Sequence, residues 1–484
     1  MNTRRAFFGA LTTLAGSAAN AEAQLRTPTL GRPTMLPDAE LKLVRRITNG
    51  LTPEEMASVY AYGYNGYIDL QLNPSAIDDS ACDNRLAPYT TIGLPTPQLY
   101  ALDSNTVQTQ VIESTILRAI YSKRQLFERM VEFWTDHFNT DINTVGILKT
   151  ADVRDVLRGN ALGTFPEMLV AQAKSPAMIN RLNNQQNSRT APNQNYAREV
   201  MELHTLGVTG GYTQQDIVEI ARCFTGWRYI TTTGDANRGT FFFNQNVHDT
   251  GTKLVLGNSI AGATGSAGVN EGLTVLRILA DHPSTHRYVS TKLLHWFIDY
   301  EPSDALVTDV AEVFRQSGGE IKTVVRRVLA FDNVRWAPPL FKRPFHLVVS
   351  GLRAMNANMT RYDSLRFTWL SGMGQIPFTW NPPNGYPHSF EYWGTLVLPR
   401  WNFAFSLGIP GSVGGASIDT TALLAGANTA QRIADRIDLL VFGGEMPAAD
   451  KTALVTYLRP DPPTTTRIRD AFGLAMASPG FQWY

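Results

Sequence analysis

Apolar residues recur along most of this chain at spacings of three and four, the period of a helix with one buried face. Residues 107–139 are predicted helical nearly throughout, with Phe127, Met130, Phe133, Trp134, His137 and Phe138 in one apolar stripe. Helix starts carry their own chemistry. Thr52-Pro53-Glu54-Glu55 sets a capping hydroxyl, a first-turn proline and an acid three residues after the cap. Thr213, with Asp216 three residues on and Gly226 beyond, brackets another helix. Further helices are expected over about 151–158, 166–173, 176–182, 269–281, 283–299, 303–317 and 319–331. Pro338 to Pro344 breaks the run, a helix follows to about Asn356, and the C-terminal part returns to helix.

The pattern changes between 228 and 258. Tyr229–Thr233 and Thr240–Phe243 read as two strands joined by a Gly-Asp-Ala-Asn turn. Gly251–Gly268 reads as a Gly- and Ser-rich loop, and 371–393 as an irregular segment rich in Gly, Pro and aromatics. The predicted fold is therefore mainly α: a single multi-helical globular domain over 38–484 with a small β-hairpin insert near 228–245. A division into separate domains near 230–268 stays open.

Before that domain the pattern is of another kind. Arg4-Arg5 precedes Phe7-Phe8, an apolar small-residue run follows from about Ala6 to Ala19, and Ala21-Glu22-Ala23 has the form of a cleavage site. The run is short of the ~20 apolar residues that span a bilayer. Residues 1–23 are read as a twin-arginine export signal, with an ordinary Sec signal or a membrane anchor as alternatives. Residues 24–37, rich in proline, form an extended arm. The expected location is periplasmic or extracellular. No later segment reaches the length of a membrane helix.

Charged residues make up 18% of the chain, below the ~25% of an average soluble domain. Lys and Arg number 43 against 42 for Asp and Glu, a balance that argues against nucleic acid as a partner. Cys82 and Cys223 allow at most one disulfide; the helical surroundings of Cys223 favour a buried thiol.

Candidate chemistry concentrates between Pro192 and Trp227. At about 100° per residue, Asn195, Arg198, Glu199 and Glu202 share one helix face. Two such carboxylates can hold a metal or share a proton; equally, Arg198 can neutralise Glu202 in a plain salt-bridge stripe. His204 falls on the opposite side of that helix unless it ends early, which Gly207 allows. His137 sits in the apolar stripe, where a histidine is more often core than ligand. Glu219 and Arg222 can pair, Asp216 is taken by the cap, and His282 before Pro283 stands at a capping position. His248-Asp249 is a weak metal signal by itself. The candidate catalytic residues are Glu199, Glu202, Arg198, Asn195 and His137. The candidate ligands for a divalent metal are Glu199, Glu202, His137, His204 and His248. Zincin, nucleophile-elbow, Walker, c-type haem and Rossmann motifs are all missing.

The segment Pro192-Asn193-Gln194-Asn195-Tyr196-Ala197-Arg198-Glu199-Val200-Met201-Glu202-Leu203-His204-Thr205-Leu206-Gly207 resembles the signature of a bacterial family, domain of unknown function 1800. Gly211-Tyr212-Thr213, Thr225-Gly226-Trp227, Phe133-Trp134 with His137-Phe138, His248-Asp249 with Lys253, His282-Pro283, Lys292-Leu293 and Gly385 extend the likeness over nearly the whole mature chain. The resemblance implies a helical, often exported protein with no stated activity. Its implied partner is a co-exported phosphatase- or sulfatase-like protein. Gln194, Asn183 and Tyr386 depart from the family's usual Glu, Asp and Trp. Two readings follow: a metal-assisted or acid–base enzyme, hydrolytic in one version, or a non-catalytic scaffold for that partner.

Overall fold

The computed structural model describes residues 38–484. The signal and arm read from residues 1–37 lie outside the described residues. The chain is mainly helical, and among the described residues the strands pair only as two-stranded antiparallel ribbons. Among the described residues no helix is long and apolar enough to cross a membrane. Two compact units form. One comprises 65–338 with 375–389; the other takes the residues up to Tyr64 with 339–374 and 390–484.

The first unit carries the candidate residues. Its long apolar stripe is divided between Ser104–Tyr121 and α1, Gln125–His137. The break is held from afar: Asp79 accepts from the Ser122 hydroxyl (2.6 Å) and the Lys123 N–H (2.7 Å). Gln71 then accepts from the Leu126 N–H at the start of α1. Such a cap satisfies donors that the next helix would leave bare. Met130, Phe133, Trp134 and His137 are buried as the stripe requires, and the Trp134 indole donates to the Ala161 carbonyl at 3.0 Å. Cys82 and Cys223 are buried free thiols.

Further along, α2 (Asn195–Glu199) passes into a π-helical turn, Val200–His204. Then α3, Gln214–Cys223, begins with a complete capping box: Thr213 accepts from the Asp216 N–H, and Asp216 accepts from the Thr213 N–H. The expected hairpin follows, its first strand displaced by two residues toward the N-terminus and its second in the expected place. β1, Trp227–Tyr229, pairs with β2, Phe241–Phe243, so that Trp227 faces Phe243 and Tyr229 faces Phe241. This register buries Trp227 and Tyr229 and leaves the threonines at 231–233 exposed, where a longer strand would gain little.

A second ribbon stands in the segment read as loop: β3, Lys253–Val255, with β4, Asn258–Ile260. Its two-residue turn needs positive φ at Leu256 (48°) and Gly257 (76°), the type I′ form. Leucine is a poor choice there, and Asp216 of α3 supports it by accepting from the Leu256 N–H at 2.7 Å. α4 (Val269–Ala280) and α5 (Pro283–Phe297) follow. His282 caps α5 through Nδ1, which accepts from the Ser284 N–H at 3.2 Å.

In the second unit the helix Pro344–Ala354 is buried along its whole length, its polar His346, Ser350 and Arg353 included. Phe403, Leu407 and Met476 close on it at Gly351.

Gly226 (φ 82°) joins α3 to β1, and a Cβ there would lie 2.5 Å from the Asn244 carbonyl oxygen. Gly226→Ala should therefore cost about 3 kcal/mol, combining backbone strain with a clash against rigid main chain. Thr213→Ala, which removes one cap, should cost about 1 kcal/mol. Urea unfolding of both variants checks the order; equal losses would contradict it.

Candidate functional site

The polar stripe of α2 reaches solvent. Arg198 extends to Glu202 (3.4 Å) and to the Gln214 side-chain oxygen (3.1 Å). Gln214 in turn donates to Gln194 Oε1 at 2.8 Å. Asn195 is exposed, and its N–H is capped by Asn193. Glu199 differs from its neighbours. It is half-buried, and among the described residues it forms no hydrogen bond or ion pair. Burial, and then the negative charge of Glu202, raise its carboxyl above the ordinary glutamate range, against the pull of Arg198 and Arg181. Arg181 is anchored on the Asn381 carbonyl. Burial and Glu202 also push the Tyr212 hydroxyl up to about 12. One surface thus holds a paired carboxylate, an unpaired carboxyl of raised pKa, two guanidinium groups and a phenol.

The histidines lie elsewhere. His204, the last residue of the wide turn Val200–His204, is buried on the face away from Glu199 and Glu202, as helical spacing predicts. There His137 Nε2 donates to the His204 carbonyl at 3.0 Å. That bond assigns the His137 proton to Nε2 and leaves Nδ1 buried with no partner. The His137 ring stacks on Phe133 and meets Trp134, Phe138 and Phe165 edge-on. Burial, then the positive charge of Lys292, hold His137 well below the usual histidine range; the same causes bring His204 down to about 3. Both rings are neutral. The core reading of His137 agrees with its surroundings, and no hydrogen bond or ion pair links either ring to the carboxylates among the described residues.

His248 belongs to a third place. Its Nδ1 donates to the Thr225 carbonyl at 2.9 Å, and Nε2 lies 3.2 Å from Glu271 Oε1. Lys253 binds Glu271 (2.5 Å), with Asp249 beside it. Asp249 is gripped through two nitrogens by Arg222, which also binds Glu219 at 2.6 Å. Burial would raise the Glu271 carboxyl, yet His248 and Lys253 beside it and the hydrogen bond from the Ala263 N–H bring it below the ordinary range. Asp249 is lowered likewise, chiefly by Arg222. This cluster is closed on itself and fastens β3 to α3 and α4.

Among the described residues no three His, Cys, Asp or Glu side chains converge as a metal site requires. The five residues proposed as ligands are spread over the three places just described.

The family model described as "Protein of unknown function (DUF1800)" matches residues 42–483. The chain belongs to this family. No curated protein and no solved structure matches it. The three departures from the usual DUF1800 pattern each have a local role. Gln194 bonds Gln214. Asn183 takes a left-handed turn (φ 57°), which asparagine tolerates. Tyr386 donates to the Ile376 carbonyl at 2.6 Å. Tyr212 and Lys292, noted in the DUF1800 pattern without a role, prove to lie beside Glu202 and to bear a charge felt by the histidine pair, respectively. Arg181 carried no signal beyond its charge.

The neutral histidines make stability depend on pH. Folding lowers both pKa values below 6.5, so the contribution is complete above pH 6.5. Below that the unfolded chain takes up protons that the folded rings refuse, down to pH about 3 for His204. Each ring should cost up to about 1.4 kcal/mol per pH unit as acid is added. Urea unfolding between pH 6 and 4.5 should show a slope that His204→Phe reduces by about that amount. An unchanged slope would place the proton uptake elsewhere.

Proposed function

We propose that this DUF1800 protein is an exported enzyme of acid–base type, with Glu199 as the group that carries the proton. The observation that carries this reading is the contrast between two carboxyls three residues apart. Glu202 is engaged by Arg198; Glu199 is unpaired, open to solvent and raised in pKa. Environments that separate two neighbouring carboxyls supply an acid and a charged partner on one surface. Arg181 and Arg198 would orient an anionic or strongly polar substrate, and Tyr212 would donate a hydrogen bond. A hydrolytic reaction suits these groups. A metal-assisted version has less support, because its ligands do not converge. The arginine pair and small-residue cleavage pattern at the start of the chain support twin-arginine export to the periplasm or beyond.

The second reading is a scaffold for a co-exported phosphatase- or sulfatase-like partner. It draws on the closed cluster from His248 to Glu219, whose charges are spent on holding ribbon and helices together.

A panel of chromogenic esters, glycosides and phosphate esters, offered to the purified protein, separates the two. Wild type should turn over at least one class. Glu199→Gln should lose about 10²–10⁴-fold, the usual contribution of a general acid or base, with its melting temperature nearly unchanged. Undiminished activity in Glu199→Gln would sink the assignment. Inactivity of the wild type, with stable capture of the exported partner, would favour the scaffold.

A further inference from the structure

The DUF1800 pattern includes a lysine that neither the carboxyl surface nor the closed cluster at Glu271 uses. Lys292 lies on α5 one turn beyond Tyr288, and residues four apart share a helix face. Its Nζ stands 5.6 Å from the centre of the Tyr288 ring. That ring is 6.3 Å from His137, which is itself 6.2 Å from His204. Tyr288 also closes against the end of the wide turn: a Cβ on Gly207 (φ 82°) would lie 2.8 Å from the tyrosine ring. Lysine, tyrosine and two histidines therefore form one cluster from three segments of the chain.

Other buried lysines of this unit are tied down. Lys149 binds Thr140 (2.6 Å) and Asp152 (3.1 Å); Lys253 binds Glu271 and Asp249. Lys292, partly buried, has no hydrogen bond or ion pair among the described residues. The groups facing it are Tyr288, neutral His137 and His204, His295 one turn on, and Asp136, the one acid whose charge reaches it. Burial in these surroundings outweighs Asp136 and brings the amine down to about 8. An ammonium left without a counterion in a desolvated place gives up its proton readily. A neutral amine is a nucleophile.

We propose that Lys292 is a nucleophilic lysine that condenses with an aldehyde or ketone to form an imine. The Nζ lone pair attacks the carbonyl carbon, and the carbon–nitrogen bond forms as the carbonyl π bond breaks. The two protons that nitrogen loses end on the carbonyl oxygen. The first reaches it through the Tyr288 hydroxyl, which gives one proton and regains one, to form the carbinolamine. The second reaches it through solvent or the neutral His204 ring, and the carbon–oxygen bond breaks as water leaves and the carbon–nitrogen double bond forms. Nothing is oxidised or reduced, and water is the only product beside the imine. This site is independent of Glu199 and stands or falls separately.

The probe is propanal with cyanoborohydride, applied to the full-length mature protein at less than one equivalent, with adducts located by peptide mass mapping. Lys292 should be labelled at pH 7.5 about ten-fold or more faster than the exposed Lys123. Its labelling rate should rise with a midpoint near pH 8. Lys292→Arg should abolish that adduct and leave the others. A Lys292 labelled no faster than Lys123, or not labelled, overturns the proposal. The wild-type map decides this even if Lys292→Arg does not fold.

Discussion

One short helical segment, Asn195–His204, serves two environments. In Val200–His204 the backbone takes π-helical spacing, and the Thr205 hydroxyl returns to the Val200 carbonyl at 2.5 Å while the Gly207 N–H reaches the Met201 carbonyl. An α-helix would advance about 100° per residue; the wider turn advances less and shifts the residues after it around the axis. Glu199, just before the turn, and Glu202, within it, stay toward water. Downstream, His204 enters the aromatic core, where its carbonyl receives His137. π-turns occur often at functional positions because they re-aim side chains at small cost in hydrogen bonds.

Charge is handled in two ways within this unit. Where it is deeply buried it is neutralised: Lys149 with Asp152 and Lys253 with Glu271, while Arg222, partly buried, is paired with Asp249 and Glu219. These pairs answer the desolvation cost of buried ions, and removing either partner would leave the other stranded. Glu199 and Lys292 break the rule. Each is partly buried, each lacks a pairing partner, and each is displaced toward its neutral form. Displaced groups of this kind gather at functional sites.

Local chemistry was legible in the sequence, and long-range contact was not. The caps at Thr213 and His282, the stripe of α1 and the Glu219–Arg222 pair follow from spacing alone. The break before α1 did not, because the carboxylate that stabilises it comes from Asp79. The ribbon at Lys253 escaped because Leu256 is an unusual residue for its turn and is supported from α3. Uniform helical periodicity put the carboxylates on one face but could not register the π-turn. That Lys292 is unpaired is a property of what surrounds it, and no motif records such a thing.

The central claim is that Glu199 is a carboxyl made ready by its neighbour and its burial. Infrared or carbon-13 titration of the carboxyl groups, with Glu199→Gln to assign the signal and Glu202→Gln beside it, tests this directly. The account predicts that Glu199 titrates above the ordinary glutamate value of 4.5 and moves down when Glu202 loses its charge. A Glu199 that titrates at or below 4.5, unaffected by Glu202→Gln, would contradict it and leave the stripe a surface ion pair and nothing more.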